Sequence, residues 1–437
     1  MSNPKQRIVQ MFLTGVLLAC VLSAISLAQS VAIRPRPLLH RRSAGPVEAP
    51  IVEPTQGNWS QVAKLVNDQG NLSQDFGSGV AISGDTIVVG SGTSFVIKKA
   101  AYIFLKTPLG WRTTLPIAAL SLPPGADAFT TAVAISNDTI VLGGTSFSGT
   151  TPGHAYVYVK PPGGWTNSTP ITAILSASDN VDGPFGGSVS ISGDTIVVGD
   201  YAANSNTGAA YVYVKPPGGW ASMTETAKLT ASDGVANDYF GHSISVDGST
   251  IAVGAPQYSV NSGKAYVFVK PTTGWTNMTQ SAQLTASGSV WLGYSIAVSR
   301  NVVVVAAPNL DGAGAAYLFE MPVSGWNNMP PTATLSPGDY RKPFFYASSV
   351  SVSGDLAIVG AEGRSNKNMV EEGGVYVFEK PKSGWQDASS TTVLTGSDAR
   401  SFADFGGSVA LDGRVLVGGA SYGGLFYPSA AFVFWLP

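Results

Sequence analysis

After residue 58 the chain repeats itself seven times, and this constrains its fold more than any other property. The clearest copy begins at Phe185 as FGGSVSISGDTIVVG and continues through GAAYVYVKPPGGW to Ala227-Lys228-Leu229-Thr230. Its first element recurs with Val80, Val133, Val189, Ile244, Ile296, Val350 and Val409 in matching places, at spacings of 53, 56, 55, 52, 54 and 59 residues. Trp111, Trp165, Trp220, Trp275, Trp326 and Trp385 mark a second element. A period of this length is one supersecondary unit per repeat, and units too small to bury both faces must cover one another.

Each unit reads as four strands, A to D. In the clearest copy these are 188–191, 195–199, 209–215 and 220–230, with period-two alternation and β-branched or aromatic side chains. Ser192-Gly193-Asp194 is a tight A-to-B turn. Strand C stops at Lys215-Pro216, because proline cannot donate to a ladder. Seven such units predict an all-β fold, a seven-bladed propeller with four-stranded blades. The last unit has three strands, near 407–411, 415–418 and 430–434, and no fourth before Pro437. A Trp…Ala-Lys-Leu pattern like that of strand D stands at the other end, in residues 58–65. The amino-terminal strand is therefore expected to complete the carboxyl-terminal blade and leave no open edge.

Hydrophobic residues make up 44% of the chain and charged residues 12%, which excludes a coiled coil and a charged disordered chain. The net charge of -2 supplies no general attraction to nucleic acid. Lys5 and Arg7 precede an apolar run over 8–28 that ends in Ser26-Leu27-Ala28. This order reads as a signal peptide, with an uncleaved membrane anchor as the alternative. Leu17-Leu18-Ala19-Cys20 loosely resembles a lipoprotein box, while Arg34, Arg36, Arg41 and Arg42 oppose translocation. The expected organisation is a signal peptide or anchor over 1–28, a proline-rich tether over 29–57 and the propeller over 58–437. A secreted or cell-envelope location follows. Membrane association requires that the amino-terminal segment be retained or Cys20 be lipidated. Cys20 is the only cysteine, so no disulfide supports the fold.

Phe76-Gly77, Phe185-Gly186, Phe240-Gly241 and Phe405-Gly406 open four units, and Gly254-Ala255-Pro256 follows strand B in one of them. This pattern resembles the FG-GAP repeat of integrin α-subunit propellers and of many bacterial secreted or surface proteins. Phe129-Thr130, Leu292-Gly293 and Phe345-Tyr346 stand in place of the first pair elsewhere. The resemblance implies a binding or scaffolding module in adhesion. Several integrin-like repeats also carry an Asp-rich calcium loop. The A-to-B turns here, such as Ser83-Gly84-Asp85, Ser192-Gly193-Asp194 and Asp412-Gly413-Arg414, are too short and too weakly acidic for that cage. They read as hairpin turns with a side-chain hydrogen bond, and no cofactor is expected. A calcium ion on the loop pairs Asp68/Asp75, Asp179/Asp182, Asp233/Asp238 and Asp398/Asp404 is the one metal alternative.

Catalytic motifs are sparse. His40, His154 and His242 form no zinc motif, and no nucleophile elbow accompanies a triad. No catalytic or metal residue is assigned. The regular tryptophans read first as wedges between blades and second as sugar-stacking faces. Strand reversal places the B-to-C and D-to-A loops on one rim and the A-to-B turns, with Lys160-Pro161 and Lys215-Pro216, on the other. The B-to-C loops vary most, and variable loops on a rigid scaffold are recognition surfaces. Candidate ligand contacts there are Asp200, Tyr201, Asn204, Asn206, Glu362, Arg364, Asn366 and Lys367. The expected function is non-catalytic extracellular binding of a protein or carbohydrate ligand. A propeller-based polysaccharide lyase or hydrolase is the alternative.

Overall fold

The computed structural model describes residues 57–67, 75–92, 99–123, 132–145, 152–179, 184–257, 262–308, 314–338, 344–365, 372–390, 392–397, 403–421 and 429–437. The leader and tether readings, over 1–28 and most of 29–57, lie outside these residues. Among the described residues the first strand is β1 (Ser60–Leu65). Blade I follows as β2 (Val80–Ser83), β3 (Thr86–Gly90), β4 (Lys99–Leu105) and β5 (Ala118–Ser121). Blade II is β6 (Val133–Ser136), β7 (Thr139–Gly144), β8 (His154–Val159) and β9 (Ala173–Ser176). Blade III is β10 (Ser188–Ser192), β11 (Thr195–Asp200), β12 (Ala209–Val214) and, after a short β13 (Met223–Thr224), β14 (Ala227–Thr230). Blade IV is β15 (Ser243–Asp247), β16 (Thr250–Ala255), β17 (Lys264–Val269) and, after β18 (Met278–Thr279), β19 (Ala282–Leu284). Blade V is β20 (Ile296–Ser299), β21 (Val302–Ala307), β22 (Ala315–Glu320) and β23 (Ala333–Pro337). Blade VI is β24 (Phe344–Ser353), β25 (Leu356–Gly363), β26 (Val375–Glu379) and, after β27 (Ala388–Ser390), β28 (Val393–Leu394). Blade VII is β29 (Ser408–Asp412), β30 (Val415–Ala420) and β31 (Ala430–Trp435).

Blade VII takes its fourth strand from the amino-terminal side. β1 pairs antiparallel with β31, from Ser60 opposite Trp435 to Leu65 opposite Ala431, with a bulge between Gln61 and Ala63. The seven A strands touch their neighbours in an unbroken circuit, β2 to β6, β10, β15, β20, β24, β29 and back to β2. The ring is therefore closed, as the repeat arithmetic predicts.

One feature departs from simple four-stranded blades. The expected D strand beginning at Trp220 is split. β13 pairs parallel with β9 of the preceding blade, and only β14 joins its own strand C. β18 and β27 do the same to blades III and V, giving those sheets and blade II a fifth strand. The cause lies in the C-to-D connection, which runs along the previous blade before it turns into its own. A polar residue two places after each repeat tryptophan fixes that course. Thr113, Asn167, Ser222, Asn277, Asn328 and Asp387 each accept a hydrogen bond, at 2.7–3.0 Å, from a strand D main-chain N–H of the preceding blade.

The core is seven clusters, one at each junction between blades, and each contains one tryptophan. Trp111 packs between blades VII and I beside Ala63 and Leu65, Trp220 between II and III, and Trp59 between VI and VII beside Phe405 and Phe434. Trp165, Trp275, Trp326 and Trp385 fill the others. The wedge reading of the repeat tryptophans describes these seven side chains. The sugar-stacking reading does not fit them, since all are buried.

The FG-GAP-like motif has a steric explanation at the same junctions. The motif aromatic packs edge-on against strand C of its own blade, as in Phe76–Tyr102, Phe185–Tyr211 and Phe240–Tyr266, with centroids 5.4 Å apart. The following glycine carbonyl reaches back to the preceding blade, where a strand A serine hydroxyl donates to it at 2.7 Å. It lies so close to the glycine ending strand B that a Cβ there would sit 2.0 Å from it at Gly254 or Gly419. In blade VI the register differs by one from the sequence alignment. Tyr346, not Phe345, occupies the motif aromatic position against Tyr376 at 5.3 Å.

Candidate binding rim

Antiparallel pairing within each blade places the two kinds of loop on opposite rims. The A-to-B rim is uniform. Each A strand ends in Ser or Asp, whose side chain accepts a main-chain N–H from the turn of the next blade. The series Ser83–Asn137, Ser136–Gly193, Ser192–Gly248, Asp247–Arg300, Ser299–Gly354, Ser353–Gly413 and Asp412–Gly84 closes on itself, at 2.6–3.4 Å. The expected hydrogen bond is thus present, but it joins blades and does not stay inside one turn. The rim lysines are also engaged. Lys106 pairs with Asp85 and Lys160 with Asp138, both at 3.2 Å, and Lys215 pairs with Asp194. This face is a girdle: its turn hydrogen bonds join successive blades, and these three ion pairs tie the end of strand C to the A-to-B turn of the same blade.

The opposite rim changes from blade to blade. The B-to-C loop of blade III is fully described and carries four of the candidate residues. Tyr201 is half-buried, with its ring 6.3 Å from Tyr239 and 5.8 Å from His242 of blade IV. Asn204 is exposed and Asn206 half-buried. Both lie at positive φ, 53° and 63°, which amide side chains tolerate better than most. The Asn206 side-chain Nδ2 donates to Asn237 Oδ1 at 3.1 Å, and the Tyr239 N–H donates to the Asn206 main-chain carbonyl at 2.8 Å. The loop of one blade is thereby tied to the D-to-A loop of the next.

Asp200 behaves differently. It is fully buried. One carboxylate oxygen accepts the Ala202 and Ala203 N–H groups at 3.1 and 3.2 Å, and the other has no hydrogen-bond partner. Burial pushes its carboxyl up to about 6, against the opposing effect of those two N–H donors. Arg364 is likewise buried and forms an ion pair with buried Glu372, closing the base of the blade VI loop. The side chains of Asp200 and Arg364 are enclosed by the protein and not displayed on the rim. Glu362 is half-buried, and its charge, after burial, helps push the Tyr294 phenol up to about 12. Asn366 and Lys367 lie outside the described residues.

Residue patterns alone missed the most distinctive part of this rim. Tyr239 and Tyr201 lead through His242 to Tyr294, at 5.1 Å from the imidazole, and on to Trp291, stacked on Tyr294 at 6.5 Å with planes 22° apart. Phe345 of blade VI meets Tyr294 edge-on at 5.6 Å. These rings form an arc across blades III to VI. His242 Nδ1 lies 3.0 Å from the Tyr294 carbonyl, and burial pushes the imidazole down to about 4, so it is neutral at pH 7. Tyr239, Trp291 and Phe345 each stand immediately before the motif position, held by Phe240, Leu292 and Tyr346, at φ of 58°, 58° and 55°. Blades I and VII have Asp75 and Asp404 at that place, at 72° and 50°. A bulky aromatic residue in this region is a true outlier, and such strain concentrates at functional sites. The signal available in the sequence was that Trp291 falls off the tryptophan register.

Among the described residues no group of three or more His, Cys, Asp or Glu is placed to hold a metal ion. Asp179 and Asp233 have other roles. Asp179 takes the Tyr211 hydroxyl and Lys228, and Asp233 takes the Tyr266 hydroxyl and Lys264.

Fold and rim together define a β-propeller with a structural face and a variable face. The model of the FG-GAP repeat matches the chain over residues 59–104, 171–213, 223–268 and 331–378, so these segments are similar to that repeat. Among solved structures the chain is similar in fold to one described as the structure of the Dos1 propeller. The two are 11% identical, with a TM-score of 0.50 over 87% of this chain and 96% of that one. No curated protein matches it in sequence.

Proposed function

We propose that this protein is a non-catalytic binding or scaffolding module, secreted or held at the cell envelope, that takes a protein or carbohydrate ligand on its B-to-C/D-to-A rim. The observation that carries this reading is the contrast between the rims. One repeats a single hydrogen bond around all seven blades, and the loops of the other differ in sequence from blade to blade. Selection for stability alone accounts for the first. A varied, partly exposed surface on a rigid ring is the arrangement expected of recognition.

A lyase or hydrolase on this scaffold would draw on His242 and its tyrosines. The imidazole instead bonds to a main-chain carbonyl of the next blade and sits between two rings, a packing role. The test is an array of glycans and extracellular proteins probed with the full chain. Once a ligand is found, Asn204→Gly with Glu362→Gln should weaken it about tenfold, the cost of roughly 1.4 kcal/mol, with a nearly unchanged melting midpoint, since glycine accepts the positive φ at 204. Lys160→Ala on the girdle should leave affinity intact. Loss of binding on the girdle side alone would reverse the assignment of faces.

A further inference from the structure

We infer that the aromatic arc of blades III to V is a carbohydrate-binding platform for a neutral glycan chain. This rests on the binding role proposed above and specifies its ligand class. The argument begins with the tryptophans. Seven of the nine are junction wedges, whereas Trp291 and Trp435 belong to no core cluster. Trp291 is half-buried on the variable rim, stacked near-parallel on Tyr294 and outside every junction cluster, with its indole Nε1 buried.

Its backbone conformation strengthens the point. Trp291 and Tyr239 both occupy the left-handed region at a site where Asp serves in other blades. A residue chosen for folding alone would be Gly, Asn or Asp, for which that conformation is least costly. Large rings held there at a conformational cost have a use other than stability.

The chemistry beside the rings selects the ligand. The arc presents Tyr201, Tyr239, Tyr294 and Trp291 with a neutral imidazole between them. Among the described residues it has no run of cations to attract a polyanion. Asn204, Asn206 and Asn237 stand alongside, and carboxamides carry a donor and an acceptor on one planar group. That pairing matches adjacent hydroxyls on a pyranose, whose C–H face packs on an aromatic ring. Partly exposed rings in contact at 5.1–6.5 Å run from one blade to the next, with planes turned by 22–51° between neighbours. Tyr and Trp also give large contact area at low conformational cost.

The experiment uses the full chain and four neutral hexasaccharides, cellohexaose, xylohexaose, mannohexaose and chitohexaose, in calorimetric titration. At least one should bind with a dissociation constant in the micromolar to millimolar range. Trp291→Gly and Tyr239→Gly should each weaken it tenfold or more while the melting midpoint holds or rises, because glycine relieves the left-handed strain. A fall in midpoint on Trp291→Gly would identify a structural ring and overturn the inference. So would binding unaffected by either change, or no binding by any of the four sugars. A proline-rich decapeptide that binds the arc when the sugars do not would also overturn it, since aromatic grooves take polyproline segments too. If the sugars fail but rim variants still abolish binding of a protein ligand, the glycan class falls and the binding role stands.

Discussion

At the scale of single residues, Asp200 shows how a repeat protein carries a local cost. The equivalent place near the end of strand B holds Ala255, Ala307, Ala361 and Ala420 in blades IV to VII. In blade III a carboxylate is buried there with one oxygen unpartnered, and its folded-state value rises from 3.8 to about 6. An acid whose folded value is raised favours folding most when protonated. Below about pH 4 both folded and unfolded chains are protonated and there is no penalty. The penalty grows between about pH 4 and pH 6 and stays constant above, at up to about 3 kcal/mol. Asp200→Asn should therefore raise the melting midpoint at pH 7 and leave it nearly unchanged at pH 4. Equal shifts at the two values would rule the account out. Asp200→Ala should gain less, because it also loses the acceptor for the Ala202 and Ala203 N–H groups. Residue pattern could place Asp200 beside a variable loop. It could not show the burial, which depends on how the loop folds over the strand end.

At the scale of elements, strands A, B and C were legible because alternation and turn residues mark them within one unit. Strand D was legible only in part. β13, β18 and β27 pair with a neighbouring blade, so their partner lies a whole repeat away and leaves no local periodicity. The FG-GAP glycines were legible as a motif but not as a contact. Their function is close approach of one blade to the next, and this yields a sharp contrast. Gly254→Ala places a Cβ 2.0 Å from the Gly293 carbonyl oxygen, so two backbones must separate. The expected loss is roughly 1–3 kcal/mol or more, typical of overpacking. Gly163→Ala, in a turn where an added Cβ meets nothing within 4 Å, should stay within about 0.5 kcal/mol of the parent. Chemical denaturation of the two variants measures the difference. Similar stabilities would mean that the junction can dilate without cost.

At the scale of the whole molecule, the ring is held at its seam by residues from both ends of the described chain. Trp59 is the wedge between blades VI and VII, and Ala63 and Leu65 pack between VII and I, so one short strand serves two junctions. Gln61 adds a reciprocal pair with Ser397, donating to its hydroxyl at 2.9 Å and accepting its N–H at 2.8 Å. Repeat counting anticipated this exchange, because an incomplete last unit and a spare first strand are both visible in the sequence. Removing residues 1–66 should strip β1 and lower the melting midpoint sharply or abolish folding, whereas removing 1–57 should leave the midpoint unchanged. Each lost ladder hydrogen bond costs roughly 0.5–1.5 kcal/mol, and loss of a buried tryptophan side chain costs about 3–5 kcal/mol. Together these are comparable to a whole folding free energy of about 5–15 kcal/mol. A peptide of residues 58–67 supplied in excess should restore the lost midpoint in proportion to the logarithm of its concentration, because it binds only the folded ring. Identical midpoints for the two truncations would show that the ring closes without β1. Failure of the peptide to rescue a folded 1–66 deletion would show that the defect lies elsewhere than in the missing strand.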